Sequence, residues 1–326
     1  MGVVALIIDH LGRQFRNLRL SLTAACNYAC TYCVPDGKRL LAAEHEMDGE
    51  QLIDLVKMLV EITGIDKIRI TGGEPLLSKK FDVVLMRVMD LGLKDVSLTT
   101  NGQLVPRKIA VLKESGIERI NVSLDTLDAD YFRAIARSGD LETVLHGIEL
   151  LQDAGIRIKI NMVPMRGHNE DQILPLLEYC TARDIELRFI ELMNMGHLQQ
   201  SDAYRQQFFS MADILNLIGE QHEYAEIDAP FDSTAIRYRL DGGGVFGIIA
   251  NESAPFCQTC TRLRLASNGL LYGCLSNSAS HDLRDLLQMS EPMALAKLQR
   301  ILVESLSNKQ TVAFRGETTV MKFIGG

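Results

Sequence analysis

Seven cysteines stand in this chain of 326 residues, and six of them fall into two triplets. Cys26, Cys30 and Cys33 form C-x3-C-x2-C; Cys257, Cys260 and Cys274 form C-x2-C-x13-C. Gaps of two or three residues let thiolates turn toward one centre, as metal and iron–sulfur ligands do. An odd cysteine count in a long chain without a secretory leader disfavours a disulfide framework. Two chemistries fit the first triplet. Structural zinc takes four closed ligands, and the nearest histidines, His10 and His45, lie outside the triplet. A four-iron cluster also takes four thiolates, so three in one tight loop would leave one iron open to another ligand. The second triplet admits the same pair of readings, with His281 seven residues past Cys274 available as a fourth zinc ligand. Cys180, alone in a helix-like stretch at 176–183, reads as a small buried hydrophobe.

The elements that must carry these residues are legible from periodicity. Short β-like runs at 18–23, 67–71, 96–99, 119–124, 156–162 and 186–190 alternate with helical patterns at 49–62, 81–91, 106–115, 141–154 and 172–183. Glycines 64, 92, 116 and 155 fall just past the helical patterns, where a left-handed stop belongs. Such alternation implies a parallel sheet, and six βα units suit a partial barrel better than a closed eight-stranded one. Strands covered on both faces should be almost continuously apolar, yet these alternate. Leu18, Leu20 and Leu22 interleave with Arg19, Ser21 and Thr23; Ile156, Ile158 and Ile160 with Arg157, Lys159 and Asn161. A side-chain period of two then puts one apolar face under the helices and one polar face toward an interior. Arg19, Arg69 and Lys159 would share that enclosure, which suits a polyanion.

Lysine and arginine number 34 against 42 acidic residues, for a net charge of −8. That excludes nucleic acid or an anionic membrane surface as the generic partner, so any anion must meet a local basic pocket. No apolar run approaches the roughly 20 residues that span a bilayer, and the apolar stretch at 3–8 is too short for a signal peptide; a cytoplasmic protein is expected. From about 193 the pattern changes. Loops are expected at 193–202 and 226–234, helices at 211–219, 283–288 and 292–306, and strands at 236–240, 245–249, 262–266 and 270–272. The chain therefore divides into a barrel domain at 1–222 and a smaller α+β extension at 223–326 that carries the second triplet. Arg262 and Arg264 share one strand face beside it.

C-x3-C-x2-C after a first barrel strand, with Tyr32 before the last cysteine, resembles the radical S-adenosylmethionine superfamily. Thr71-Gly72-Gly73-Glu74-Pro75 at the end of the second strand resembles that superfamily's Gly-Gly-Glu motif. The closer resemblance is to the branch that cyclises GTP in molybdenum-cofactor biosynthesis. It is carried by Gly12-Arg13, Leu18-Arg19-Leu20-Ser21, Thr99-Thr100-Asn101-Gly102, Asn121-Val122-Ser123-Leu124-Asp125, Lys159 with Asn161, and the run from Arg188 to Met193. Cys257 to Arg264, Cys274 and the terminal Gly325-Gly326 complete the set. Residues 194–200 and 315–322 depart from that branch's usual wording.

The resemblance implies a partial (βα)6 TIM-like barrel of the radical S-adenosylmethionine type. It implies two [4Fe–4S] clusters, one on Cys26, Cys30 and Cys33 and one on Cys257, Cys260 and Cys274. Tyr32, Gly73, Ser123 and Met193 would contact S-adenosylmethionine, and Glu74 would accept from its ammonium. Arg19, Arg69, Thr99, Lys159 and the segment Arg262, Leu263, Arg264 would hold GTP. The implied activity is that of a lyase: a 5′-deoxyadenosyl radical removes the C3′ hydrogen of GTP, C3′ joins C8, and reduction gives 3′,8-cyclo-7,8-dihydro-GTP. Implied partners are an external one-electron reductant, a second copy of the chain in a homodimer, and the next molybdenum-cofactor enzyme as recipient of the product. The double-glycine tail would reach the active site.

Overall fold

The computed structural model describes residues 7–35, 40–229 and 233–317. The Gly325-Gly326 tail lies outside the described residues. In chain order the barrel segment runs β1 (Asn17–Ser21), α1 (Gly49–Thr63), β2 (Lys67–Thr71), α2 (Phe81–Met89), β3 (Asp95–Thr100), α3 (Val105–Ser115), β4 (Arg119–Ser123), α4 (Ala129–Ala136), α5 (Leu141–Asp153), β5 (Arg157–Met162), α6 (Ile173–Thr181) and β6 (Glu186–Ile190). There follow α7 (Asp202–Gln207), α8 (Met211–Gly219), β7 (Tyr224–Ile227), β8 (Ile236–Leu240), β9 (Val245–Ile249), β10 (Arg262–Leu265), β11 (Leu270–Tyr272), β12 (Ser280–Asp282) and α9 (Glu291–Ser307).

The strands form one sheet in the order β12-β11-β10-β1-β2-β3-β4-β5-β6-β9-β8-β7. β1 through β6 pair in parallel, as the alternation of strands and helices requires. β10 joins in parallel outside β1, and β9 joins in parallel outside β6. The extension therefore widens the same sheet at both edges. With β12 at one end and β7 at the other, the barrel stays open.

α1 shows why the sequence folds locally as it does. Asp48 and Gln51 form a capping box, and Gly64 ends the helix at φ 69. The face with Leu52, Ile53, Leu55, Val56 and Leu59 is buried against the apolar side of the sheet. Each such side chain contributes roughly 1.5–3 kcal/mol through burial. Leu18, Leu20, Ile68, Ile70, Leu98, Ile120, Ile158 and Ile160 supply the sheet's share of this core.

Four elements depart from the sequence expectation. α4 and α7 lie in stretches too short to show a helical period, and β12 is only three residues long. β7 runs into the expected loop at 226–234, because Tyr224–Ile227 pairs antiparallel with β8.

Candidate active site

The polar face of the sheet lines a cavity of about 1030 Å³ whose walls include all six triplet cysteines. The first triplet occupies the loop after β1. Cys33 and Val34 both donate backbone N–H bonds to the Cys30 carbonyl, at 2.9 and 3.0 Å, which winds the loop tightly. Ala29 and Thr31 donate to Ala136 and Ile135 at the end of α4, so the short helix missed in the sequence is the shelf on which the cysteine loop rests. Glu46 ties this region to the extension: its Oε1 accepts from Thr23, Ala24, Ala43 and, at 3.0 Å, from the Ser267 hydroxyl.

The Gly-Gly-Glu run after β2 packs against the same loop. Gly73 donates to the Thr23 carbonyl at 2.7 Å and Glu74 to the Ala25 carbonyl at 2.8 Å. A Cβ on Gly73 would meet the Ala25 carbonyl at 2.3 Å, so only glycine allows this approach. Glu74 is buried; its carboxylate accepts from Leu76 N–H, the Thr100 hydroxyl and Asn101 N–H at 2.8–3.0 Å. Burial nonetheless outweighs these donors and lifts its pKa to about 7. Asp125 rises to about 6 for the same reason, although it accepts from Tyr32 Oη and Val163 N–H. Burial also raises the thiols, Cys26 to about 11 and Cys33 to about 12, and pushes Cys30 well up, with Glu74 or Asp125 adding repulsion.

The second triplet lies at the opposite end of the neighbouring strands, on the loop before β10, which pairs in parallel with β1, and just after the antiparallel β11. Burial alone would raise Cys260, but Lys309 and Arg262 bring it down to about 5. Cys274 is likewise lowered, by Lys309 and by hydrogen bonds from Ser276, whereas burial and its two companion cysteines raise Cys257. His281 sits on β12, 4.0 Å from the Glu304 carboxylate and off the cavity wall, so it is not a fourth ligand.

Between the triplets lies a row of cations. In the parallel register Arg264 stands beside Arg19, and Arg19 beside Arg69. Like charges directly opposite one another destabilise a sheet. Burial and the neighbouring arginines drive the pKa of Arg19 well below its ordinary value and that of Arg69 to about 9. Among the described residues neither pairs with a carboxylate, and the Arg69 Nε is buried without a hydrogen-bond partner. Arg262 adds a fourth guanidinium over the Phe256 ring.

Tyr32, Gly73, Glu74, Ser123, Met193, Arg19, Arg69, Thr99, Arg262 and Arg264 all border the cavity. Lys159 and Leu263 do not. The Lys159 ammonium is held 2.8 Å from Glu186. Leu263, between two lumen-facing arginines, turns by the period of two onto the apolar face, fully buried opposite Leu18. Arg188 had no role in the sequence reading, yet it borders the cavity, is buried, and donates to Asn121 Oδ1 at 2.5 Å. Its placement between Leu187 and Phe189 carries the same alternation that marked Arg19.

Among the described residues no three Cys, His, Asp or Glu side chains converge as a single metal ion requires. Three thiols on one loop facing a cavity fit the donor set that an iron–sulfur cluster with an open iron would take. Residues 20–180 match the family model described as the radical SAM superfamily, and residues 185–314 match the model described as Molybdenum Cofactor Synthesis C. A GTP 3′,8-cyclase of Marinobacter nauticus is 33% identical over 323 residues, 98% of this chain and 97% of that protein. One of Listeria monocytogenes is 36% identical over 93% of this chain and 91% of its own length. The chain belongs to the GTP 3′,8-cyclase family.

A GTP 3′,8-cyclase of Synechocystis sp. is 36% identical over 86% of this chain and 84% of its own. The fold also matches the crystal structure of Streptococcus suis SuiB bound to S-adenosylmethionine. There the TM-score is 0.61 and the identity 16%, with 87% of this chain and 68% of that one covered. For this member of the GTP 3′,8-cyclase family, superfamily membership brings S-adenosylmethionine and a [4Fe–4S] cluster, and Cys26, Cys30 and Cys33 fit that cluster. The two model matches meet between residues 180 and 185, so the second contains β6 with Arg188 as well as the second triplet. Among the described residues no helix is long and apolar enough to cross a membrane.

Proposed function

We propose that this chain is a radical S-adenosylmethionine lyase that cyclises GTP to 3′,8-cyclo-7,8-dihydro-GTP in molybdenum-cofactor biosynthesis. When bound, the reduced cluster and S-adenosylmethionine supply a 5′-deoxyadenosyl radical that takes the C3′ hydrogen of GTP. The protein's own part is placement. Tyr32, Gly73, Ser123 and Met193 line the end of the cavity that would hold S-adenosylmethionine, and the Glu74 carboxylate is fixed there to meet an ammonium. Arg19, Arg69 and Arg264, with Arg188, Arg262 and Thr99, form the wall for the triphosphate.

The observation that carries this reading is the in-register row Arg264, Arg19 and Arg69 on the wall of a cavity bordered by both thiol triplets. Buried guanidinium groups that repel one another gain most from a polyanion, because charge-assisted bonds to phosphate are roughly twice as strong as neutral ones. Holding ribose and base in contact also converts ring closure into an intramolecular event. The second triplet, Cys257, Cys260 and Cys274, would hold a second [4Fe–4S] cluster whose open iron faces the purine. An external reductant supplies the electron that closes the reaction. A homodimer and transfer of the product to the next enzyme of the pathway belong to the same reading.

Anaerobic incubation of the cluster-loaded protein with reductant, S-adenosylmethionine and GTP tests it. The expected outcome is 5′-deoxyadenosine together with 3′,8-cyclo-7,8-dihydro-GTP. GTP at 100 times its dissociation constant should also protect against thermal unfolding by about 2.7 kcal/mol. Formation of 5′-deoxyadenosine with GTP unconsumed and no protection would overturn it.

A further inference from the structure

Behind the second triplet lies a lysine that the reaction does not call for. Lys309 follows α9 and is only 4% exposed. Its ammonium donates to the Gly273 carbonyl at 2.7 Å and to the Arg262 carbonyl at 2.9 Å, and lies 5.4 Å from the centre of the Phe15 ring. Gly273 immediately precedes Cys274, and Arg262 stands two residues past Cys260. The ammonium thus bridges the two backbone segments that present those sulfurs, and its charge helps to lower the Cys260 thiol.

The approach of α9 is built into the sequence. A Cβ on Gly273 would lie 2.1 Å from the Ser305 carbonyl, so glycine there lets the end of the helix press against the cysteine loop. A fully buried lysine is rare unless its charge is compensated. Arg13, another buried cation in this region, donates to the Cys257 and Gln310 carbonyls, but its charge is matched by Asp9 at 2.7 Å. Lys309 has carbonyls, a ring and sulfur around it, and among the described residues no carboxylate pairs with it.

We infer that Lys309 is a positioning residue for the second triplet: its ammonium clasps the Cys260 and Cys274 segments together and serves as the fixed counter-charge of an anionic iron–sulfur cluster held there. This rests on the reading that Cys257, Cys260 and Cys274 bind a cluster. Net charge and hydrogen bonds to sulfur set cluster potentials, so a nearby cation makes the second cluster easier to reduce.

The test compares full-length wild type with Lys309→Met, Lys309→Gln and Lys309→Arg after anaerobic cluster loading. Iron is counted, thermal midpoints are measured, and potentials are read in a background where Cys26, Cys30 and Cys33 are alanine and only the second cluster remains. Wild type should carry on the order of eight irons. Lys309→Met should lose up to half of them, and whatever second cluster it keeps should titrate at a more negative potential. Lys309→Arg should restore both. Lys309→Gln keeps a donor for the carbonyls and removes only the charge, so it carries the comparison of potentials if the methionine variant does not fold. Eight irons and unmoved potentials in the methionine and glutamine variants would overturn the role of Lys309 and leave the second cluster standing. Four irons in wild type and none in the triple-alanine background would overturn both.

Discussion

Around Cys26, Cys30 and Cys33 the nearest charged groups are carboxyls, Glu74 and Asp125; around Cys260 and Cys274 they are cations, Lys309 and Arg262. The two triplets border one cavity yet stand in fields of opposite sign. A carboxyl-rich end welcomes the ammonium and sulfonium of S-adenosylmethionine. A cation-rich end, continuous with Arg19 and Arg264, welcomes a triphosphate. On the proposed reading, the difference would orient the two small molecules before any specific contact is made, each being repelled from the other's place.

The largest effect should come from splitting the triplets by mutation. Cys30→Ser should abolish 5′-deoxyadenosine formation, whereas Cys260→Ser should keep much of it and lose the cyclised product, both followed by chromatography of one reaction mixture. Normal cyclisation by Cys260→Ser would remove the division of labour. Next in size is the arginine row. Arg69→Gln should weaken GTP binding roughly 10- to 100-fold, the equivalent of about 1.5–3 kcal/mol for a charged hydrogen bond. Because it also relieves repulsion with Arg19, the GTP-free protein should melt no lower than wild type; a clear loss of thermal midpoint would show that Arg69 is a structural cation.

The smallest effect is a contrast in thiol reactivity in metal-free protein. Cys260, at about 5 when folded, is a thiolate at pH 7, while Cys26 and Cys33, at about 11 and 12, are not. Iodoacetamide should therefore label Cys260 first and reach the other two only in alkali. The linked stability follows by sign. The Cys260 contribution is present above the ordinary thiol range of about 8.5 and is lost as pH falls toward 5. The Cys26 and Cys33 contributions are present below that range and are lost as pH rises toward 11 and 12. Equal labelling of all three at pH 7 would erase the contrast.

The barrel strands were legible because a period of two marks them, and β2 and β6 begin and end where that pattern does. The same pattern marked Arg19 and Arg69 as lumen residues and put Arg262 and Arg264 on one strand face. For Lys159 it fixes a face but not a partner, and Glu186 one strand over holds the ammonium. It was not applied to Leu263, which it would have excluded. α4 left no readable period in its eight residues, although Asp128 caps it and Phe132 and Ile135 are buried. Lys309 left no trace in periodicity at all, because its place depends on how closely α9 can approach Gly273.

The pairing of β1 with β10 sets a condition on biosynthesis. Asn17 finds its side-chain partner Thr261 only 244 positions further along the chain. A nascent polypeptide must therefore hold the outer border of its first strand bare until most of the protein has left the ribosome. A bare border invites pairing with other chains, and such distant closures are slow. The second triplet flanks β10 and β11, so its thiols come together with the first only once that late pairing has formed.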